Sequence, residues 1–175
     1  MSLLFEKRYR RSSLIGKKPD GIGRSTNGRF SMDGLEFLRS IADGRSPQAP
    51  ISLTLGFTLV SADPGTVVFE AETGEHLYNP MGTVHGGYFA TLLDSALGCA
   101  VMSRLREGMA YATAQLNVNL LRPATEATGR LRVVGKAIHI GRTLGTAEAQ
   151  VVGAHDGKLY AHGTTTCSIF PLPAS

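Results

Sequence analysis

Three features of the chain predict an α+β fold in which one antiparallel sheet curls against a single long buried helix. Residues from about His85 to Arg106 read as one helix, and within its Tyr88–Ser103 segment Asp94 is the only charged residue. A helix that is apolar on nearly every side must be enclosed by the rest of the protein. Two strand-like runs precede it and four follow, separated by short turn signals. One helix beside that many strands finds its burial on one face of a sheet.

The elements follow in order. Residues 1–32 are polar and basic with no sustained apolar period, and read as an irregular arm. Asp33 caps a short helix over Gly34 to Ala42, with Leu35, Leu38 and Ile41 on one face. Asp43-Gly44 and the Ser46–Pro50 stretch end it. Leu53 to Ser61 and Thr66 to Thr73 form a hairpin around Asp63-Pro64-Gly65. Glu75 to Thr83 is loop, and the central helix then runs from about His85 to Arg106, with Gly108 ending it. Strands follow near Tyr111–Leu121, Gly129–Ile140, Thr143–Gly153 and Lys158–Phe170, the last pair joined through Asp156-Gly157, a strong hairpin signal. Residues 33–175 are therefore one domain behind a basic arm.

Composition narrows the class. With 175 residues, 42% hydrophobic and 18% charged, the chain is large enough for one real core. Its net charge of +4 is uneven, because residues 1–30 carry eight Lys and Arg against Glu6 and Asp20. The basic character belongs to the arm, which reads as a solvated tail. Leu3-Leu4-Phe5 is too short for a secretory signal, and Gly86–Ser103, with Asp94 and its Gly, Ser and Thr residues, suits a packed helix better than a membrane span. Cys99 and Cys167 build no disulfide framework and read as small buried hydrophobes in a reducing, cytoplasmic setting. The five His residues form no zinc pattern, and the Gly-rich stretch is no dinucleotide fingerprint, so neither metal nor cofactor is expected.

Chemistry concentrates in Asn79-Pro80-Met81-Gly82-Thr83-Val84-His85-Gly86-Gly87 and the helix it opens. A turn before a helix leaves free N–H groups where the dipole favours negative charge. A carboxylate on an enclosed helix costs free energy unless it is paired or used. The Gly86 N–H is thus a candidate oxyanion donor, and Asp94 a candidate nucleophile or general base. They are eight residues apart, about 12 Å of rise on one helix. One carbonyl that uses both must take them from two protomers, as a two-fold dimer allows.

His85-Gly86-Gly87, Leu92-Leu93-Asp94 and Gly98-Cys99-Ala100, preceded by Asn79 and Gly82, resemble the hotdog-fold thioesterases of the phenylacetic-acid-degradation (PaaI-like) type. The resemblance runs from about Asp33 to the C-terminus. It implies a sheet wrapped around the helix and hydrolysis of an acyl-CoA to free acid and coenzyme A, which is substrate and not cofactor. It also implies sites shared within a homodimer or a dimer of dimers. It places the catalytic carboxylate at Asp94, gives Asn79 a role beside the thioester, and makes Thr113 a residue that positions the attacking water. Without it, Asn79 is a turn residue before Pro80 and Thr113 an ordinary strand residue.

His85, Gly87 and Tyr88 are placed at the substrate by adjacency, with Phe89 and Leu92 in the acyl pocket. Arg122 and Arg142, each at a strand end, are candidate clamps for coenzyme A phosphates, with Lys136 weaker. Along the strand after the helix, Thr113, Gln115, Asn117 and Asn119 are expected on one face and Leu116, Val118 and Leu120 on the other. A non-catalytic acyl-CoA sensor using the basic arm on nucleic acid is the main alternative. Asp94 and the lack of helix-turn-helix periodicity in residues 1–50 count against it, and nucleic acid is not an expected partner. A hydratase would need a His–acid pair that the His85 spacing does not supply.

Overall fold

A computed structural model describes residues 32–172, so the basic arm lies, but for Met32, outside the described residues. Helix α1 is Gly34–Ala42, α2 is Pro50–Leu55 and the central α3 is Gly86–Met102. The strands are β1 Phe57–Asp63, β2 Thr66–Ala71, β3 Met109–Leu120, β4 Leu131–Ile140, β5 Leu144–Gly153 and β6 Leu159–Pro171. They form one six-stranded sheet in the order β1-β2-β4-β5-β6-β3, with every pairing antiparallel.

The sheet takes α3 against one face, as expected for an all-round apolar helix. Leu92, Leu93, Ala96, Leu97, Ala100 and Val101 have no exposed surface, nor do Val67, Leu131, Val133 and Val151 opposite them. Each such leucine contributes roughly 1.5–3 kcal/mol relative to exposure. The facing positions of β4 and β5 are small: Gly135, Ala147 and Ala149. That lets the helix backbone come close, and a Cβ on Gly135 would run into the Ala96 carbonyl. The helix is not sealed all round. Thr91, Asp94, Ser95, Cys99 and Met102 form a half-open strip along it, so Cys99, unlike Cys167, is not the fully buried residue expected.

Two boundaries differ from the sequence reading. The stretch before β1, expected as strand from Leu53, is helix α2, which starts on Pro50 and ends at Gly56 in the left-handed region (φ 71°). Proline inside the start and glycine past the end are what such a helix needs. The central helix ends at Met102, short of the expected Arg106, where the Ser103 hydroxyl bonds back to the Ala100 carbonyl (2.8 Å) and donates nothing onward to the helix. The Ser103 oxygen instead accepts from the Gly65 N–H (2.8 Å), tying the helix end to the β1–β2 turn. Helix α1 docks there too, Gly34 N–H donating to the Leu105 carbonyl at 3.0 Å. Asp33 caps α1 through the Glu36 N–H, as expected. No helix among the described residues is long and apolar enough to cross a membrane.

Candidate active site

The loop before α3 is built by Asn79. Its Oδ1 accepts from the N–H groups of Met81 (2.9 Å) and Thr83 (3.3 Å), and its Nδ2 donates to the Thr83 hydroxyl (3.0 Å). Gly82 takes the positive φ (79°) that this tight loop requires. The Val84 and His85 N–H groups are then held by the carbonyls of Ala124 and Leu77, both at 2.8 Å.

His85 is the N-cap of α3. Its backbone is extended, and its Nδ1 accepts from the Gly87 N–H at 2.8 Å. Imidazole thus occupies one of the free donors at the helix start, while the Gly86 N–H keeps no hydrogen-bond partner among the described residues. That donor lies at the wall of a cavity of about 260 Å³ shared by Asn79, Thr83, Phe89, Leu120 and Arg122. A Cβ on Gly86 would stand 2.6 Å from a methyl of the exposed Leu120, which would have to swing aside to admit it. Arg122 is steadied by an Nη1 hydrogen bond to the Leu159 carbonyl (3.0 Å). Tyr88, placed at the substrate by adjacency, is instead buried with its hydroxyl on the Glu72 carbonyl (3.1 Å), and Leu92 is in the core; Phe89 alone of that group reaches the cavity.

Asp94 sits elsewhere, on the half-open strip that faces β3. Its Oδ1 accepts from the Thr113 hydroxyl at 3.0 Å. No arginine pairs with it among the described residues. The carboxylate is half-buried and not enclosed as the helix pattern implied, because its face of the helix is left partly open.

Thr113 reaches Asp94 because of a β-bulge. The β3–β6 register runs Thr113↔Cys167 and then Gln115↔Thr166, leaving Ala114 without a partner. The extra residue resets the alternation. Thr113 therefore shares the helix-facing side with Tyr111, Leu116 and Val118, while Gln115 and Asn117 face out. The expected grouping of Thr113 with Gln115, Asn117 and Asn119 is wrong for Thr113 alone.

Tyr111 was not singled out by the sequence. Its hydroxyl packs onto Gly98, one turn along the helix from Asp94 and 2.5 Å from where a Cβ would stand. Burial first, then the thiols of Cys99 and Cys167 and the charge of Asp94, push its phenol well above the usual 10.0. The Cys99 thiol is pushed up from 9.0 to about 12 by desolvation and then by Asp94. Cys99 should therefore resist iodoacetamide at pH 8 in the native protein and react on unfolding in guanidinium, as mass spectrometry of the alkylated peptide would report. Rapid labelling of the native thiol would contradict the shift.

Within one protomer, then, the Gly86 N–H, Asn79 and Arg122 meet at one cavity, and Asp94 with Thr113 lies about 12 Å further along the helix. The first group can hold an oxyanion and the second can activate an attacking oxygen. Arg142 is in neither. It borders a separate cavity of about 760 Å³ beyond the C-terminal end of α3.

Known proteins share this arrangement of helix and sheet. A thioesterase superfamily model matches residues 81–160. Human acyl-coenzyme A thioesterase 13 is 30% identical over 130 residues, which cover 74% of this chain and 91% of that one. The crystal structure of a phenylacetic acid degradation-related protein from Ralstonia eutropha superposes with a TM-score of 0.67 at 28% identity, covering 75% and 98% of the two chains. The Escherichia coli PaaI protein has the same fold, with a TM-score of 0.69 at 20% identity over 81% of this chain and 99% of that one.

Proposed function

Because the chain belongs to the thioesterase superfamily, with the hotdog fold of its neighbours, and its relatives hydrolyse thioesters, we propose that it cleaves acyl-CoA at a site shared by two protomers. The observation that carries this reading is the Thr113–Asp94 hydrogen bond, which aims a half-open carboxylate at β3 and away from the Gly86 cavity of its own chain. Among the described residues, strand β3 is the end of the sheet and pairs only with β6. The free edge of a strand of 12 residues invites pairing with another chain. A second copy related by a two-fold axis at this edge would bring its Gly86 toward Asp94 and make two equal sites.

In that site the thioester carbonyl oxygen takes the Gly86 N–H, with the positive end of the α3 dipole behind it. Asp94 drives attack on the carbonyl carbon, either directly or by taking a proton from water held by the Thr113 hydroxyl. The negative charge that develops on oxygen is met by a fixed donor. The tetrahedral adduct collapses by breaking the C–S bond, and the coenzyme A thiolate leaves readily because thiols are acidic near pKa 8.5. On the direct route the mixed anhydride left on Asp94 is then split by water, which frees the acid and restores the carboxylate. Asn79 holds the loop that positions Gly86, and Arg122 stands at the cavity rim for an anionic part of the substrate. The minimal active unit is the homodimer, and pairing of two dimers would give the homotetramer.

Thiol release from a panel of aliphatic and aromatic acyl-CoAs tests the proposal. Turnover of some members supports it and identifies the acyl class. Binding of acyl-CoA without any thiol release would favour a sensor and sink the hydrolytic reading.

A further inference from the structure

Glycine is less favourable than alanine inside a helix, so Gly98, in the buried stretch of α3, has a structural reason. That reason is Tyr111. A Cβ at Gly98 would stand 2.5 Å from the Tyr111 hydroxyl oxygen, 2.8 Å from Cε2 and 3.0 Å from Cζ. The far end of the phenol fills the space between helix and strand that a side chain at 98 would take. Its oxygen has no hydrogen-bond partner among the described residues, and no buried polar side-chain atom there lacks one. The hydroxyl therefore keeps open surface along the strip and does not tie β3 to the helix.

Two contacts cross from α3 to β3 side by side. The Thr113 hydroxyl meets Asp94, and the Tyr111 ring meets Gly98. One turn of helix from Asp94 to Gly98 is about 6 Å. Two strand residues from Thr113 to Tyr111 are about 6.6 Å, so the two rungs stay in step. The first rung carries the carboxylate and the ring closes the second. Beyond it, the half-buried Met102 and Met109 continue the helix and the strand with apolar side chains.

On the acyl-CoA hydrolysis proposed above, the coenzyme A side of the substrate lies toward Arg122 and the Gly86 cavity. Two directions along α3 are left for the acyl group. Toward the helix N-terminus it runs into the second site, which the two-fold axis puts about 12 Å away. Toward the C-terminus it meets Tyr111. We propose that the Tyr111 ring is the end wall of the acyl site and makes the protein select short acyl groups. The space from Asp94 to Gly98, about 6 Å, holds roughly four carbons past the carbonyl at ordinary C–C bond lengths.

The test is calorimetry of the full chain with S-butyl- and S-decyl-coenzyme A, thioethers that cannot be hydrolysed. Wild type is expected to gain no affinity from butyl to decyl, because the added carbons meet the ring. Tyr111→Leu removes the atoms over Gly98 and keeps apolar bulk on β3. It is expected to bind the decyl compound about ten-fold more tightly than the butyl one, since each buried methylene is worth about four-fold. Tyr111→Phe keeps the ring and should behave as wild type. A ten-fold gain already present in wild type, the same gain in Tyr111→Phe, or none in a folded Tyr111→Leu overturns the inference. Should Tyr111→Leu not fold, the wild-type length profile decides. A kcat/KM that falls from pentanoyl- to decanoyl-CoA supports the wall, and one that keeps rising overturns it while hydrolysis stands. Absence of thiol release from every acyl-CoA would sink hydrolysis and leave the thioether binding to judge Tyr111.

Discussion

Replacing Asp94 with Asn is expected to lower kcat for acyl-CoA hydrolysis by about 10²- to 10⁴-fold, the range general acid–base groups supply. The substitution keeps size and shape, and the amide oxygen still accepts from the Thr113 hydroxyl where Oδ1 does now at 3.0 Å. Folding should be unaffected, because the side chain is half-buried and pairs with no cation among the described residues. The decisive comparison is thiol release beside light scattering and circular dichroism on the same samples. Lost turnover with unchanged mass and spectrum places Asp94 in the chemistry. Activity within a factor of ten of wild type would remove it, and the oxyanion donor would then have to work with some other base.

The second large effect concerns stability. Gly135→Ala is expected to destabilise the protein by about 3 kcal/mol and lower Tm by about 10 °C. The obstacle to the new methyl is backbone, since the Ala96 carbonyl carbon would lie 2.7 Å away. Relief requires the whole of α3 to move off the sheet, and with it the fully buried leucines on both sides of Ala96. Gly74→Ala is the matched control. There the nearest atoms, at 3.0 Å, belong to the exposed His76 ring, which can swing aside, so the change should stay within about 0.5 kcal/mol. Thermal denaturation of the pair reads the difference. Equal Tm values for both variants would mean that the close helix–sheet approach is not what holds the core.

Much of this architecture is legible because it rests on pattern. An apolar helix with one acid, four alternating runs after it and Asp156-Gly157 between the last two are enough to place helix and strands within about two residues, α3's C-terminus and α2 apart. Helix α2 was missed although its signals, Pro50 and Gly56, are present, because six residues are too few to show a helical period. Gly86 and Asp94 stand out locally, one by its turn and one by its isolation among apolar residues. The His85 cap does not, since histidine is not a usual N-cap residue. Nor does Tyr111, whose place over Gly98 depends on how β3 crosses the helix. Arg104 and Arg106 fall inside a helix read as far as Arg106. Only the early end at Met102 turns them toward Arg142.

The unpaired Ala114 changes how this strand can be altered. Substitution at Ala114 leaves the backbone count, and so the direction of Thr113, untouched. Removing it would place Thr113 directly beside Gln115, so that Thr113↔Cys167 and Gln115↔Thr166 become consecutive pairs and Thr113 and Tyr111 keep the helix-facing side. The contact with Asp94 is thus set by where the ladder pairs on either side of the bulge, Thr113 with Cys167 and Gln115 with Thr166, more than by the residue between them. A survey of single substitutions would pass over that position in silence, and a one-residue deletion there would iron out the bulge while leaving the hydroxyl on the carboxylate's side of the sheet.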